Sequence, residues 1–391
     1  MARLVTIMGS GETAPTMVPV HRSVLEAVGP DPVLTVLDSA YGFQENADEL
    51  TERAVDYFTT SFPGTDVRVA TLRSPDAPAG VRERALERLR TADVVFAGPG
   101  SPTYALRTWH ETGVADVLAE IALRGALTVA SAASITVGSH AVPVYEIYKV
   151  GEEVRWADGL DVLGRLGLSA AVVPHFDNAE GGTHDTRFCW MGAARFERLR
   201  SLLPDGVAVL GVDEHTAAVL DLDAGVVRVR GRGRVTVLAD GATATASDGE
   251  ALPLGLLQGS ESPLAEPIDL PAGDDPVAEL TGAFSAAIER GDVEPALDAV
   301  LELEDTHEQW DDPADAHRAL RRMVTRLGSE LTRSVDGDER RRKAAEALLQ
   351  LRARARDERR FTDADALRET VALLGFEIRD TSDGSIAVPV D

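Results

Sequence analysis

Acyl transfer needs a nucleophile, a base and an acid that orients the base. Ser131 stands in surroundings that suit a nucleophile: it follows the apolar run Leu127-Thr128-Val129-Ala130 and precedes the small residues Ala132-Ala133-Ser134. A strand that turns sharply into a helix exposes such a side chain at the sheet edge and aims the next N–H, that of Ala132, at a developing oxyanion. The same pattern also fits an ordinary serine at a helix start. His175 is the candidate base. Ala170–Val173 reads as a strand, and Pro174-His175-Phe176-Asp177 follows at its carboxyl end, on the same rim as Ser131. Between the two, Glu146 stands among apolar and aromatic neighbours (Val142-Pro143-Val144-Tyr145-Glu146-Ile147-Tyr148), where a lone carboxylate is costly. His175 is its expected partner, and a surface pair with Lys149 is the alternative. A metal site built from His175, Asp177, His184 and Asp185 is a further reading, on a spacing that matches no known ligand pattern.

Strands must carry these residues to one rim. Leu4–Met8, Val33–Leu37, Val67–Leu72, Val94–Ala97, Leu127–Ala130 and Ala170–Val173 are short apolar runs, separated by helical patterns such as Asn46–Phe58 and Gly80–Arg90. That alternation predicts βαβ units and a mainly parallel sheet. Glycine-rich turns close two of the strands: Gly9-Ser10-Gly11-Glu12 and Gly98-Pro99-Gly100-Ser101. The second can present backbone N–H groups to an anion, but no Walker lysine or dinucleotide fingerprint accompanies it. Val207–Leu210, Ala217–Leu222, Val226–Arg230 and Arg234–Leu238 read as antiparallel strands at the edge or end of the same domain. Gly259–Pro276 reads as a linker. Beyond it, helices are expected over Val277–Arg290, Glu294–Gln309, Pro313–Leu331 (capped by Asp312), about Asp338–Glu358, and from Thr362 to Gly375. A hairpin of Phe376–Arg379 and Ser385–Val388 ends the chain.

The chain has 391 residues, 44% apolar and 27% charged, with a formal net charge of −26. That length suits two or three domains, and that charge excludes nucleic-acid binding through the overall field, leaving only a local basic patch. The single cysteine, Cys189, excludes an internal disulfide framework and a multi-cysteine metal site. No apolar run is long enough to span a membrane and the N-terminus lacks a signal-peptide pattern, so a cytoplasmic protein is expected.

The first 258 residues or so resemble the serine peptidases that include aspartyl dipeptidase (dipeptidase E) and cyanophycinase. The resemblance rests on Gly9-Ser10-Gly11-Glu12, the Gly98–Ser101 loop, Ser131-Ala132, Pro174-His175-Phe176, Asn178-Ala179, His184-Asp185-Thr186-Arg187, Gly211-Val212-Asp213-Glu214-His215-Thr216-Ala217 and Gly231–Val237, in that order. It implies an α/β fold like that of class I glutamine amidotransferases, a mainly parallel sheet with helices on both faces. It also implies Ser131 as nucleophile, His175 as general base and acid, and Glu146, 15 positions after the serine, as the orienting acid. The N–H groups of Gly100 and Ala132 would be the oxyanion donors and Arg187 the grip on a substrate carboxylate, with a solvated surface arginine as the alternative. A small, acidic dipeptide-like substrate is implied, with no cofactor and no metal; a homodimer is left open. Two positions depart from the family pattern: Ala133 replaces a glycine of the elbow, and Pro99 and Ser101 replace a glycine and an Asn or Asp. They keep open a second reading, a catalytically degenerate domain used for binding.

The segment from Leu351 to Val388 is similar to the C-terminal end of cysteinyl-tRNA synthetase, through Asp363-Ala364-Asp365-Ala366-Leu367-Arg368, Leu374–Thr381 and Asp383-Gly384. Residues 277–391 are therefore expected to form a small helical domain. From Arg340 to Arg360 nine basic residues face three acids, a stripe suited to tRNA phosphates or, alternatively, to a solvated helix face. Nothing in the chain resembles the synthetase's catalytic domain. The fusion adds a third reading, a hydrolase acting on an aminoacyl- or peptidyl-tRNA.

Overall fold

The computed structural model describes residues 2–239, 241–259, 276–306, 319–328, 338–357, 360–381 and 384–389. The chain divides into two compact units, Met1–Asp76 with Arg88–Ile268, and Ala77–Glu87 with Asp269–Asp391.

The first unit is built on an eight-stranded sheet. Strands β1 (Leu4–Met8), β2 (Val33–Leu37), β3 (Asp66–Ala70), β4 (Val94–Ala97) and β5 (Ala126–Ala130) run parallel in the order β1-β5-β4-β2-β3. Two short strands, β6 (His140–Ala141) and β7 (Ala157–Asp158), pair with each other. Next come β8 (Ala170–Val173), β9 (Ala208–Val212), β10 (Thr216–Asp221), β11 (Val226–Gly231), β12 (Arg234–Ala239), β13 (Ala242–Ser247) and β14 (Ala251–Pro253). Of these, β10, β11 and β14 extend the large sheet antiparallel from β1. The others form a second, four-stranded sheet in the order β13-β12-β9-β8. The late strands pair antiparallel with β1 and with one another, as their turn-rich sequence implies, except that β9 runs parallel to β8. They are shared between two sheets, however, and β8 does not lie in the sheet of β5.

Burial follows strand position. Leu4–Met8 and Ala126–Ala130 are buried at every residue, as expected of central parallel strands covered on both faces. Val226–Gly231 alternates buried and exposed, as expected where one face meets water. Leu4, Met8, Leu34, Val36, Phe96 and Ala130 pack with Val20, Val24 and Phe58 from helices Val18–Val28 and Ala47–Ser61. The alternate residues Val5, Ile7, Leu127 and Val129 are fully buried on the opposite face, where helix Val114–Arg124 packs against β1, β4 and β5. Helices therefore cover both faces, and the ends of β1, β4 and β5 are left as the natural place for chemistry.

In the second unit, helices Pro276–Glu289, Val293–Thr306, Asp338–Asp357 and Phe361–Leu373, with a helical segment over 319–328, pack around Phe284, Val300, Leu327, Leu348 and Val371. The hairpin of β15 (Phe376–Thr381) and β16 (Gly384–Pro389) forms as expected. The linker, apart from Gly259 and Pro276, and the Asp312 cap lie outside the described residues.

Candidate active site

At the end of β5, Ser131 sits at φ 55° and opens a 3-10 helix over Ser131–Val137. A left-handed conformation at a non-glycine residue is the strained elbow that lifts a side chain clear of the sheet edge. Its Oγ lies 2.8 Å from Nε2 of His175. On the other side of the ring, Nδ1 lies 2.8 Å from Oε1 of Glu214. A carboxylate only accepts, so Nδ1 carries the proton; the neutral ring then offers Nε2 as acceptor to the serine hydroxyl. The three side chains form one continuous relay.

His175 comes from the sheet of β8, yet it reaches the end of β1 because its N–H donates to the Gly9 carbonyl at 3.3 Å. Glu214 lies in the turn where the chain leaves β9 in one sheet and enters β10 in the other. The Gly9-Ser10-Gly11 turn is wedged beside it: a Cβ at Gly9 would meet the Asp213 carbonyl at 2.0 Å, and one at Gly11 would meet the His215 ring at 2.3 Å. Only glycine allows that approach. Asn178 Nδ2 also donates to Glu214 Oε1, at 2.9 Å, and the Glu214 N–H donates to Asp177 Oδ1 at 2.7 Å.

Burial raises the Glu214 carboxyl, but the hydrogen bonds from His175 and Asn178 outweigh that and hold it below the usual carboxylate range. Its neighbour Asp213 is pushed up to about 6 by burial and by the charges of Asp177 and Glu214. Glu12 is also raised by burial, against the pull of His175 and His215.

The acid on His175 is thus Glu214 and not Glu146, contrary to the sequence expectation. Glu146 Oε2 instead accepts from Thr103 Oγ1 at 2.9 Å, while Lys149 lies over the Tyr145 ring, 5.6 Å from its centroid. Glu146 follows Ser131 closely in the chain, but it opens a π-helical turn that spends its carboxylate on the helix Pro102–Thr112. Glu214 was visible within the Gly211–Ala217 motif; its proximity to His175, 39 residues earlier, was not.

Arg187 is exposed and committed to Asp185, through Nε and Nη2 at 2.9 Å each. The four residues of the metal reading are pulled apart. His175 belongs to the relay, Asp177 holds the Glu214 backbone, Asp185 holds Arg187, and His184 stacks on Tyr148. Among the described residues no group of three or more His, Cys, Asp or Glu is arranged to hold a metal ion. Cys189 is buried, and burial raises its thiol, so it is held in the unreactive form.

Two local features bear on the family departures. The Ala133 methyl is fully buried against Gly98, where a Cβ would stand 3.0 Å from it and 2.7 Å from the Ala130 carbonyl. The elbow therefore accepts alanine at 133 because position 98 is glycine. Gly100 packs on the backbone of Ala40, and the Ser101 N–H donates to the Ala40 carbonyl at 2.9 Å. The Ser101 Oγ caps helix Pro102–Thr112 by accepting from the Tyr104 N–H at 3.3 Å.

After His175 the chain makes an unusual loop. Phe188, Cys189 and Trp190 are consecutive left-handed residues, at φ 61°, 55° and 63°. Each such residue costs about 1–2 kcal/mol. The loop is held by N–H bonds from Phe188 to the Phe176 carbonyl (2.9 Å) and from Cys189 to the His175 carbonyl (3.1 Å). The stacked rings of Phe188 and Phe196, 4.1 Å apart, also brace it.

In the second unit the basic stripe is partly consumed internally. Arg354 and Arg360 pair with Glu304, which is buried, at 2.7 and 3.4 Å. Arg360 also pairs with Asp363 at 2.9 Å. Arg352 is buried and donates to Ser385 Oγ at 3.4 Å.

Parts of the chain are similar to different known proteins. The first part is similar to a crystal structure of a peptidase from an acI-B1 actinobacterium, with 19% identity and TM-score 0.49 over 65% of this chain and 97% of that one. It is also similar to a protein named for peptidase E from Listeria monocytogenes EGD-e, with 12% identity and TM-score 0.39 over 63% and 99% of the two chains. Residues 342–385 match the family described as the cysteinyl-tRNA ligase anticodon binding domain. A cysteine–tRNA ligase from Lawsonia intracellularis is 54% identical over 41 residues, which is 10% of this chain. The chain spans 8% of that ligase's length.

Proposed function

We propose that this chain is a serine hydrolase that cleaves a peptide or amide bond of a small substrate. The observation that carries the reading is the unbroken relay from Ser131 Oγ through His175 to Glu214, both links 2.8 Å. Ser131 attacks the substrate carbonyl carbon while His175 Nε2 takes the hydroxyl proton. Glu214 stabilises the resulting imidazolium without itself becoming protonated. The N–H groups of Gly100 and Ala132 hold the tetrahedral oxyanion. When the intermediate collapses, the C–N bond breaks and the leaving amine receives the proton from His175. Water then attacks the acyl carbon while giving up a proton to His175; the C–Oγ bond breaks, His175 returns that proton to Ser131 Oγ, and the acid leaves. No cofactor takes part in these steps. Because Arg187 is paired with Asp185, preference for an acidic dipeptide rests on the family resemblance alone, so acidic, neutral and cationic dipeptides belong in one assay.

Labelling with a fluorophosphonate probe tests the nucleophile. Wild type is expected to take up one equivalent and Ser131→Ala none; equal labelling or equal dipeptide turnover by the two removes the assignment.

A second reading concerns the C-terminal unit, where the match over residues 342–385 favours contact with tRNA. With Arg352, Arg354 and Arg360 engaged inside the unit, the phosphate contacts fall to other basic side chains, among them exposed Arg356. Salt-sensitive tRNA retention on filters that weakens in Arg356→Glu supports this reading; retention independent of salt and of that change rejects it.

A further inference from the structure

We infer that Trp190 is a positioning residue for the catalytic imidazole: its indole, held by a strained loop tied to the backbone of His175, packs at a tilt against that ring and helps keep it aligned between Ser131 and Glu214. The inference rests on the serine-hydrolase reading for its kinetic consequence, though not for its geometry.

The two ring centroids are 4.7 Å apart with an interplanar angle of 48°. Hydrogen bonds at Nε2 and Nδ1 set the orientation of the imidazole, and the tilted indole packed beside it resists displacement of the ring by rotation about Cα–Cβ and Cβ–Cγ. Backbone hydrogen bonds place the indole there. Trp190 is the third left-handed residue in succession, its N–H donates to the Thr186 carbonyl at 2.9 Å, and the preceding N–H, from Cys189, donates to the carbonyl of His175 itself at 3.1 Å. Thr186 is tied in turn to the Asn178 carbonyl through its hydroxyl at 3.3 Å, and Asn178 donates to Glu214. Asp185 closes the far end by accepting from the Ala193 N–H at 2.9 Å. One short loop therefore joins the base, its orienting acid and the indole. Left-handed geometry at three side-chain-bearing residues persists only where surroundings impose it, and such strain gathers where a side chain must be aimed. Among titratable neighbours, Glu12 interacts by charge with His175, and His215, Asp213 and Cys189 interact with Glu214.

The test uses the full chain with Trp190→Leu, which keeps bulk without an aromatic face, and Trp190→Phe, which keeps the face. Two readouts are followed: the far-downfield proton resonance of His175 Nδ1–H, assigned by its loss in His175→Gln, and the fluorophosphonate labelling rate together with the final labelled fraction. In Trp190→Leu the resonance is expected to broaden or vanish and labelling to slow by about tenfold to a hundredfold, with the final fraction unchanged. Trp190→Phe is expected to restore both. A change that merely destabilised the fold would lower the labelled fraction and leave the rate of the folded molecules alone. A sharp resonance and wild-type labelling rate in Trp190→Leu overturn the inference. If wild type shows the resonance but never labels, the hydrolase reading fails, and the response of the resonance to Trp190→Leu decides the inference by itself.

Discussion

Glu214 and Glu146 are both carboxylates within one domain, and their surroundings separate their roles. Glu214 accepts from His175 and Asn178 at once, and those bonds keep it ionised; Glu146 accepts from Thr103. An ionised acceptor on Nδ1 is what fixes the productive tautomer, so Glu214→Gln is expected to lower kcat by about 10⁴-fold, as loss of the orienting acid does in triads generally. Glu146→Gln keeps an acceptor for Thr103 and is expected to leave kcat within about tenfold, which is about 1.4 kcal/mol of barrier. Steady-state kinetics of the two variants side by side checks both statements, and the reverse ranking would return the acid role to Glu146.

At the scale of elements, the elbow after β5 and the loop after β4 act as one unit. Ala133 fits because Gly98 leaves room, and Gly98 stands at φ 101°, where an L side chain is strained in any case. Gly98→Ala is therefore expected to cost about 1–3 kcal/mol in stability and to slow labelling of Ser131, since the new methyl presses on the Ala130 carbonyl just before that residue. Ala133→Gly removes only a methyl and is expected to preserve the labelling rate while losing up to about 1 kcal/mol of stability. Denaturant unfolding and labelling kinetics measure the two effects separately. The strands that carry these turns were legible because parallel central strands are apolar on both faces. The division of the late strands into two sheets was not, since alternation shows which face is buried but not which neighbour buries it.

At the scale of the whole molecule, the first unit carries a pH dependence set by a buried histidine that is not part of the relay. His21 is 3% exposed, lies among Tyr57, Phe58, Phe62 and Phe96, and donates from Nε2 to the Glu12 carbonyl at 2.8 Å. Burial lowers its pKa from 6.5 to about 4. Between those values the unfolded chain binds a proton that the folded chain refuses, so this group removes stability as pH falls. Asp213, raised to about 6, works in the opposite direction over part of the same range, so the comparison must isolate His21. Relative to His21→Gln, wild type is expected to lose up to about 3 kcal/mol between pH 6.5 and 4. Unfolding curves at a series of pH values provide the measurement, and parallel profiles for the two proteins would refute it.

By itself the sequence determined the alternation of strands and helices along the first unit, the sharp turn at Ser131, the strand-end position of His175 and the helical character of the C-terminal unit, because each depends on neighbours within a few residues. Tertiary structure decided which acid completes the relay, how Arg187 and the basic stripe spend their charge, and that Trp190 packs against the His175 ring. Those are contacts between residues distant along the chain or turned together by unusual backbone. A carboxylate's partner is chosen by the path of the chain between two sheets, and no local pattern of residue types encodes that path.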